Sequence, residues 1–124
     1  MHVNSYRELE IYCLVRNLSV EIFNVSKSFP KDEIYSLTDQ IRRSSRSVGA
    51  QIAEAWAKRR YKKHFISKLT DADGEQLETQ HWIETAVDCG YIDVEHGRKL
   101  LDRYAAVGRM LNSMMTKADL FCKD

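Results

Sequence analysis

Proline occurs once in this sequence, at Pro30, and glycine only five times in 124 residues. That scarcity suits a helical chain with few turns, and no alternating strand pattern interrupts the reading. Cysteine is also sparse. Cys13, Cys89 and Cys122 are odd in number and form no CxxC, which argues against a disulfide framework or a zinc ribbon and for free, mostly buried thiols in a reducing cytoplasm. No run approaches the roughly 18 uninterrupted apolar residues of a membrane span. The opening Met1-His2-Val3-Asn4-Ser5 lacks the basic-then-apolar order of a secretion signal, so a cytoplasmic protein is expected. With no linker, repeat or low-complexity tract, residues 1–124 read as one domain, long enough to bury a core.

Charge of one sign is missing from two long stretches. Between Arg42 and Lys68 the only acid is Glu54, against Arg42, Arg43, Arg46, Lys58, Arg59, Arg60, Lys62, Lys63 and Lys68. Between Asp71 and Glu95 there is no Lys or Arg, whereas Asp71, Asp73, Glu75, Glu78, Glu84, Asp88, Asp93 and Glu95 all fall there. A net charge of +1 therefore conceals a dipolar chain. Either the basic stretch meets a polyanion, or basic and acidic patches satisfy each other.

What is present is helical periodicity. Ser5 with Glu8 makes a capping box for helix 1, whose seam of Ile11, Val15, Leu18, Ile22, Val25 and Phe29 alternates steps of four and three until Pro30 stops it. Ser36 and Asp39 cap helix 2, which reads from Leu37 to Arg60. Helix 3 runs from about Lys63 to Asp88 with core positions Phe65, Leu69, Ala72, Gln76 or Leu77, Ile83 and Val87. Asp71, Asp73, Gly74 and Glu75 break its apolar pattern. Gly90 can end it in the left-handed conformation. Asp93 caps helix 4, where Leu100, Tyr104, Val107, Leu111, Met114, Ala118 and Phe121 repeat the seam. Four amphipathic helices on short connections make an all-α, antiparallel up-down-up-down four-helix bundle.

Helix 2 carries two stripes. Ile41, Ser45, Val48, Ile52, Ala55 and Arg59 lie within about 40° of one line, and all but Arg59, at the helix end, suit the core. Roughly 80–160° away run Arg42, Arg46, Gly49, Ala53 and Ala57. A glycine inside a helix costs about 1 kcal/mol against alanine, and such small residues suit the close approach of another backbone. We expect this second stripe to form a homo-oligomer interface, with Arg42 and Arg46 meeting helix 3 acids of a neighbouring copy.

The segment QIRRSSRSVGAQIAEAWAKRR, with Phe29-Pro30-Lys31 before it and ETQHWIETAVDCGYI after it, resembles the bacterial four-helix-bundle proteins also called 23S rRNA intervening-sequence proteins. The resemblance extends from Tyr6-Arg7-Glu8-Leu9 to about Tyr104. Gln51 stands where that family usually has asparagine. The resemblance implies a cytosolic bundle assembled into a ring, a pentamer, and kinship with retroelement accessory proteins that bind nucleic acid and a reverse transcriptase.

Chemistry is less legible. Arg42, Arg43, Arg46, Lys58, Arg59, Arg60, Lys62 and Lys63 are the candidate phosphate-binding residues. Arg42 and Arg60 project in the same direction about 27 Å apart along the helix axis, and Trp56 and Tyr61 lie nearby to stack on single-stranded bases. The blander alternative is that the helix-end bases complement a helix dipole, with Trp56 in the core or at an interface. Glu78-Thr79-Gln80-His81 is an ExxH, but a di-iron bundle needs two such motifs and two further glutamates. Only Asp93-Val94-Glu95-His96 approaches the second motif, so no metal or other cofactor is expected and His81 reads as a polar residue beside Trp82. Glu54 reads as the helical partner of Lys58 or as a charge across a subunit boundary. Arg42, Arg43, Glu54 and His64 could mimic an RNA-cleaving cluster, although nothing in their spacing demands it. No catalytic residue is assigned. The expectation is a non-enzymatic assembly that binds RNA or works beside a nucleic-acid enzyme. A protein-partner scaffold is the alternative, and an RNA-processing enzyme comes third.

Overall fold

The computed structural model describes residues 3–123, so Met1, His2 and Asp124 lie outside it. Four helices, α1 (Glu10–Ser26), α2 (Leu37–Ala57), α3 (Lys62–Asp88) and α4 (Val94–Thr116), form an antiparallel up-down-up-down bundle. Short 3-10 turns lie at Tyr6–Glu8, Lys31–Glu33 and Ala118–Leu120. None of the helices is long and apolar enough to cross a membrane.

The Ser5–Glu8 capping box forms, but on the first 3-10 turn. Leu9 then leaves the helical region and buries its side chain, so α1 starts one residue later, at Glu10. In α1, Ile11, Val15, Leu18 and Ile22 are buried as their spacing requires. The Val25 position moves to Ser26, because an untwisted helix drifts by about 20° per heptad from a strict seam, while Phe29, past the helix end, is buried as expected. Ser26 is almost fully buried and Val25 only partly.

The start of α2 differs more. Ser36 makes no side-chain cap. Glu33 does that work from the preceding turn. Its Oε1 accepts from the Ser36 hydroxyl at 2.7 Å and the Leu37 N–H at 3.4 Å, and its Oε2 accepts from the Tyr91 hydroxyl at 2.9 Å. The Ser36 bond first, then the Tyr91 bond, holds the Glu33 carboxyl below its ordinary 4.5. A depressed carboxyl stabilises the fold above its unfolded value, and that contribution is lost as pH falls through the lower folded value. Thermal melts on the acid side of the carboxylate range should therefore show a pH-dependent loss of stability that is smaller in Glu33→Gln. Parallel pH profiles for the two proteins would refute the capping role.

Between α2 and α3 lies the broadest helix contact of the bundle. Ile41, Val48, Ile52 and Ala55 meet Phe65, Leu69, Ala72 and Ile83 there, all essentially without solvent contact. Each large side chain buried this way contributes about 1.5–3 kcal/mol. Polar contacts mark both flanks of α3: Thr79 faces Ser44 of α2, and Gln76 and Asp73 face Gly108 of α4. The Thr79 hydroxyl lies 2.9 Å from that of Ser44, Gln76 donates to Asp73 at 2.9 Å, and Gln80 donates to Gln76 at 2.7 Å. These bonds satisfy the buried groups and show how the Asp71–Glu75 interruption stays helical. Gln76 is therefore the core residue and Leu77 is exposed; Ala86 is buried in place of Val87.

Gly90 ends the α3 connection with φ +78°, and Asp93 caps α4 by accepting the His96 N–H at 2.8 Å. Leu100, Tyr104, Val107, Leu111 and Ala118 are buried, while Met114 and Phe121 are half-buried. The cysteines are not mostly buried as expected: Cys13 and Cys89 are exposed and Cys122 is half-buried, because each falls off the buried line of its element. The α1–α4 side is the least closed of the bundle.

The second stripe of α2 is engaged in part within the chain itself. Two faces of this helix fit inside a single subunit, because α2 sits between α1 and α3. A Cβ added at Gly49 would touch Val15 and Tyr12 of α1 at 3.6 and 3.7 Å. The middle of the small-residue stripe therefore already serves close packing within the chain.

Candidate nucleic-acid interface

The eight basic candidates do not form one continuous surface. The helix ends at Ala57, so Arg60 sits on the following turn and is not on a helical line with Arg42. Two clusters result, separated by most of the length of α2, which rises about 22 Å between Arg42 and Ala57.

At the first end, Arg42, Arg43 and Arg46 border a shallow cavity of about 510 Å³ with Ile34, Thr38 and Asp39. Two of these arginines lie over one aromatic ring of α1. The Arg42 guanidinium sits 4.7 Å from the Phe23 centroid and that of Arg46 5.6 Å. Arg42 Nε also donates to the Ser26 hydroxyl at 2.7 Å. Arg43 reaches across to α3, where it pairs with Glu78 at 3.0 Å, and it donates to Gln40 at 3.2 Å. The intrachain partners of Arg42 and Arg46 are thus residues of α1, and of the three only Arg43 meets a helix 3 acid.

The second end is the corner from α2 to α3. Lys58 leaves the helical region, Tyr61 is extended, and α3 begins at Lys62 without a side-chain cap. An uncapped helix start adds positive potential to the basic side chains around it. Arg59 folds back: its Nε donates to the Trp56 carbonyl at 2.8 Å and its guanidinium lies 3.6 Å from the Trp56 ring centroid. Such stacking is worth about 0.5–1 kcal/mol at exposed sites. Arg60 lies 5.9 Å from the Tyr61 centroid, and His64 meets the Tyr61 ring edge-on at 5.3 Å. Lys62 pairs with Asp119. The Lys123 N–H donates to the Arg59 carbonyl at 3.4 Å, and the Phe121 ring stacks on buried Phe65 at 5.6 Å. Those contacts seat the C-terminal turn against the corner. The resulting open cavity, about 680 Å³, is lined by Trp56, Ala57, Arg59, Arg60, Tyr61 and Lys123. Among the described residues, no salt bridge joins Lys58, Arg60, Lys63 or Arg46 to an acid.

Other sequence candidates are dispersed or engaged. Glu54 pairs with Lys68 of α3 at 3.6 Å and not with Lys58; Lys68 also approaches Asp71 at 3.6 Å. Arg42, Arg43, Glu54 and His64 each have different neighbours, so the cleavage cluster does not assemble. Glu78 accepts from Arg43 and from the Trp82 indole at 3.1 Å, while exposed His81 packs against Trp82. In the second ExxH-like segment, Asp93 is a helix cap and Glu95 pairs with Arg98. Burial pushes the Tyr104 phenol above its ordinary value, so it stays protonated as a core residue. Sequence reasoning missed the Arg59–Trp56 stack and the seat of Arg42 on Phe23. The Trp56 to Arg59 spacing of one helical turn was the available signal for the first.

Residues 7–113 match the sequence profile of the 23S rRNA-intervening sequence proteins. The chain belongs to that family. A crystal structure of a Bacteroides thetaiotaomicron protein, described as of unknown function and from the S23 ribosomal protein family, superposes with a TM-score of 0.76 at 27% identity, covering 85% of this chain and 97% of the other. None of the curated proteins matches the chain. The match to the intervening-sequence proteins takes in α1, α2, α3 and most of α4. The turn that carries Asp119, Phe121 and Lys123 to the basic corner lies outside the matched residues.

Proposed function

We propose that this intervening-sequence protein is a non-enzymatic homo-oligomer that binds nucleic acid, RNA first, through the basic corner between α2 and α3. One observation carries the reading. Lys58, Arg60 and Lys63 gather at that corner, beside two aromatic rings, without an ion-pair partner among the described residues. Arg59 is oriented by Trp56, and Lys62 is tied to Asp119. Arg42, Arg43 and Arg46 form a secondary basic patch weakened by contacts inside the chain. The link of the family name to rRNA favours RNA as the polyanion. Ala53 and Ala57 form the centre of the oligomer contact, with Arg42, Arg46 and Gly49 along its α1 edge.

Replacing Lys58, Arg60 and Lys63 together by glutamine should weaken RNA binding. It should also flatten the plot of log affinity against log salt by about two units, roughly 0.7 for each phosphate of a single strand that is no longer neutralised. Indistinguishable salt slopes for the two proteins would remove the corner from the account.

A protein-partner scaffold is the second reading. It is favoured by a mainly apolar groove of about 230 Å³ on the least closed side of the bundle, lined by Leu9, Ile11, Met110, Met114 and Phe121 together with Glu10 and Ser113. Methionine-rich grooves adapt to varied partners.

A further inference from the structure

The two aromatic rings at the corner are not equivalent. Trp56 is covered on one face by Arg59, whose guanidinium is held both by the ring at 3.6 Å and by the Trp56 carbonyl at 2.8 Å. Tyr61 is half-exposed in the extended link into α3, with His64 against its edge. Two flat surfaces therefore border one cavity: the Tyr61 ring and the Arg59 guanidinium backed by Trp56. Ala57, Arg60 and Lys123 complete its lining, and among the described residues no acid does. At about 680 Å³ the space falls within the roughly 300–1,000 Å³ that accommodates small ligands.

We propose that this corner takes an unpaired nucleotide of RNA, with its base stacked on Tyr61 beside the Arg59 plane and its phosphate held by Arg60 and Lys123. The inference rests on the RNA reading above and narrows it from a polyanion to a single strand. Phosphate attraction alone would need only cations. Aromatic and guanidinium planes add something a duplex cannot use, since paired bases are already stacked and the deep groove of A-form RNA is closed to side chains. An unpaired base has a free face, and stacking on an aromatic side chain is tolerant of sequence. Arg59 enters already oriented, so less of its freedom is lost on binding.

The test compares a short labelled single-stranded RNA of mixed sequence with the same sequence annealed as a duplex. Both are titrated with the full chain at several salt concentrations. The wild type should bind the single strand more tightly. Tyr61→Ala should weaken single-strand binding about tenfold while its salt slope stays unchanged, because a stacking contact releases no counterions. Tyr61→Phe should bind like the wild type, and neither substitution should alter duplex binding. Circular dichroism checks that these exposed-site variants remain folded. Equal wild-type affinity for the two RNAs, or a Tyr61→Ala variant that binds the single strand like wild type, would overturn the single-strand inference and leave the RNA reading in place. Equal weakening by Tyr61→Ala and Tyr61→Phe would overturn the stacking role. Absence of salt-dependent binding to either RNA would overturn the RNA reading itself and this inference with it.

Discussion

Phe65→Ala is expected to lower the unfolding free energy by about 3–5 kcal/mol. Phe65 has no solvent contact, sits one turn into α3, and stacks on Phe121 at 5.6 Å. Its ring therefore joins the bundle core to the C-terminal turn that carries Lys123 to the basic corner. Truncation leaves a cavity the size of a phenyl ring and removes the surface on which that turn rests. Total stability of a domain this size is about 5–15 kcal/mol, so the variant should sit near the limit of folding. Phe121→Ala, at a half-buried position, should cost less. Urea unfolding followed by circular dichroism measures both. A loss below about 1 kcal/mol for Phe65→Ala would mean that the corner is not anchored through the core.

Ala53→Trp should convert the oligomer to monomers at micromolar concentration while the helical content of each subunit stays unchanged. Ala53 is half-buried in the subunit and Ala57 is exposed, so the pair offers little apolar area of its own. Its value is close approach, which lets dispersion contacts between helices accumulate. A contact between unlike faces is heterologous, and it closes into a ring when the rotation allows. An indole at residue 53 would hold the neighbouring helix away. The core stripe of Ile41, Val48 and Ile52 is untouched by the change. Light scattering after gel filtration reads the result. A monomeric wild type would eliminate the oligomer reading, and a variant that lost helix would show that Ala53 belongs to the subunit core.

The parts of this molecule that were legible in its sequence are those governed by short-range rules. Apolar spacing placed Ile41, Val48 and Ile52 in the core. Asp93 capped its helix, and Gly90 took the left-handed turn, because each depends on residues within one helical turn. The misreadings involve partners distant in the chain or competition between two plausible groups. Ser36 has the right chemistry for a cap, but its hydroxyl donates to Glu33, whose charged carboxylate accepts the Leu37 N–H and is itself held by Tyr91. Gln76 was indistinguishable from Leu77 until the partly buried Asp73 and Gln80 gave it partners. Glu54 looked local to Lys58, yet Lys68 on the facing helix reaches it. The basic candidates stand out by composition, but charge on a helical wheel carries no information about where the helix stops. The end of α2 at Ala57 divided them into two clusters, and Phe23 covered one of these from the other side.

Where RNA lies on this bundle is tested most directly by photo-crosslinking. Single-stranded RNA carrying a photoreactive base, bound to the wild-type protein at low salt and irradiated, should yield crosslinked peptides containing Tyr61 and its neighbours in the α2–α3 corner. Those crosslinks should fade as salt rises and disappear when Lys58, Arg60 and Lys63 are neutralised. Crosslinks confined to the α1–α4 groove, or a pattern unchanged by neutralising the corner, would contradict the account.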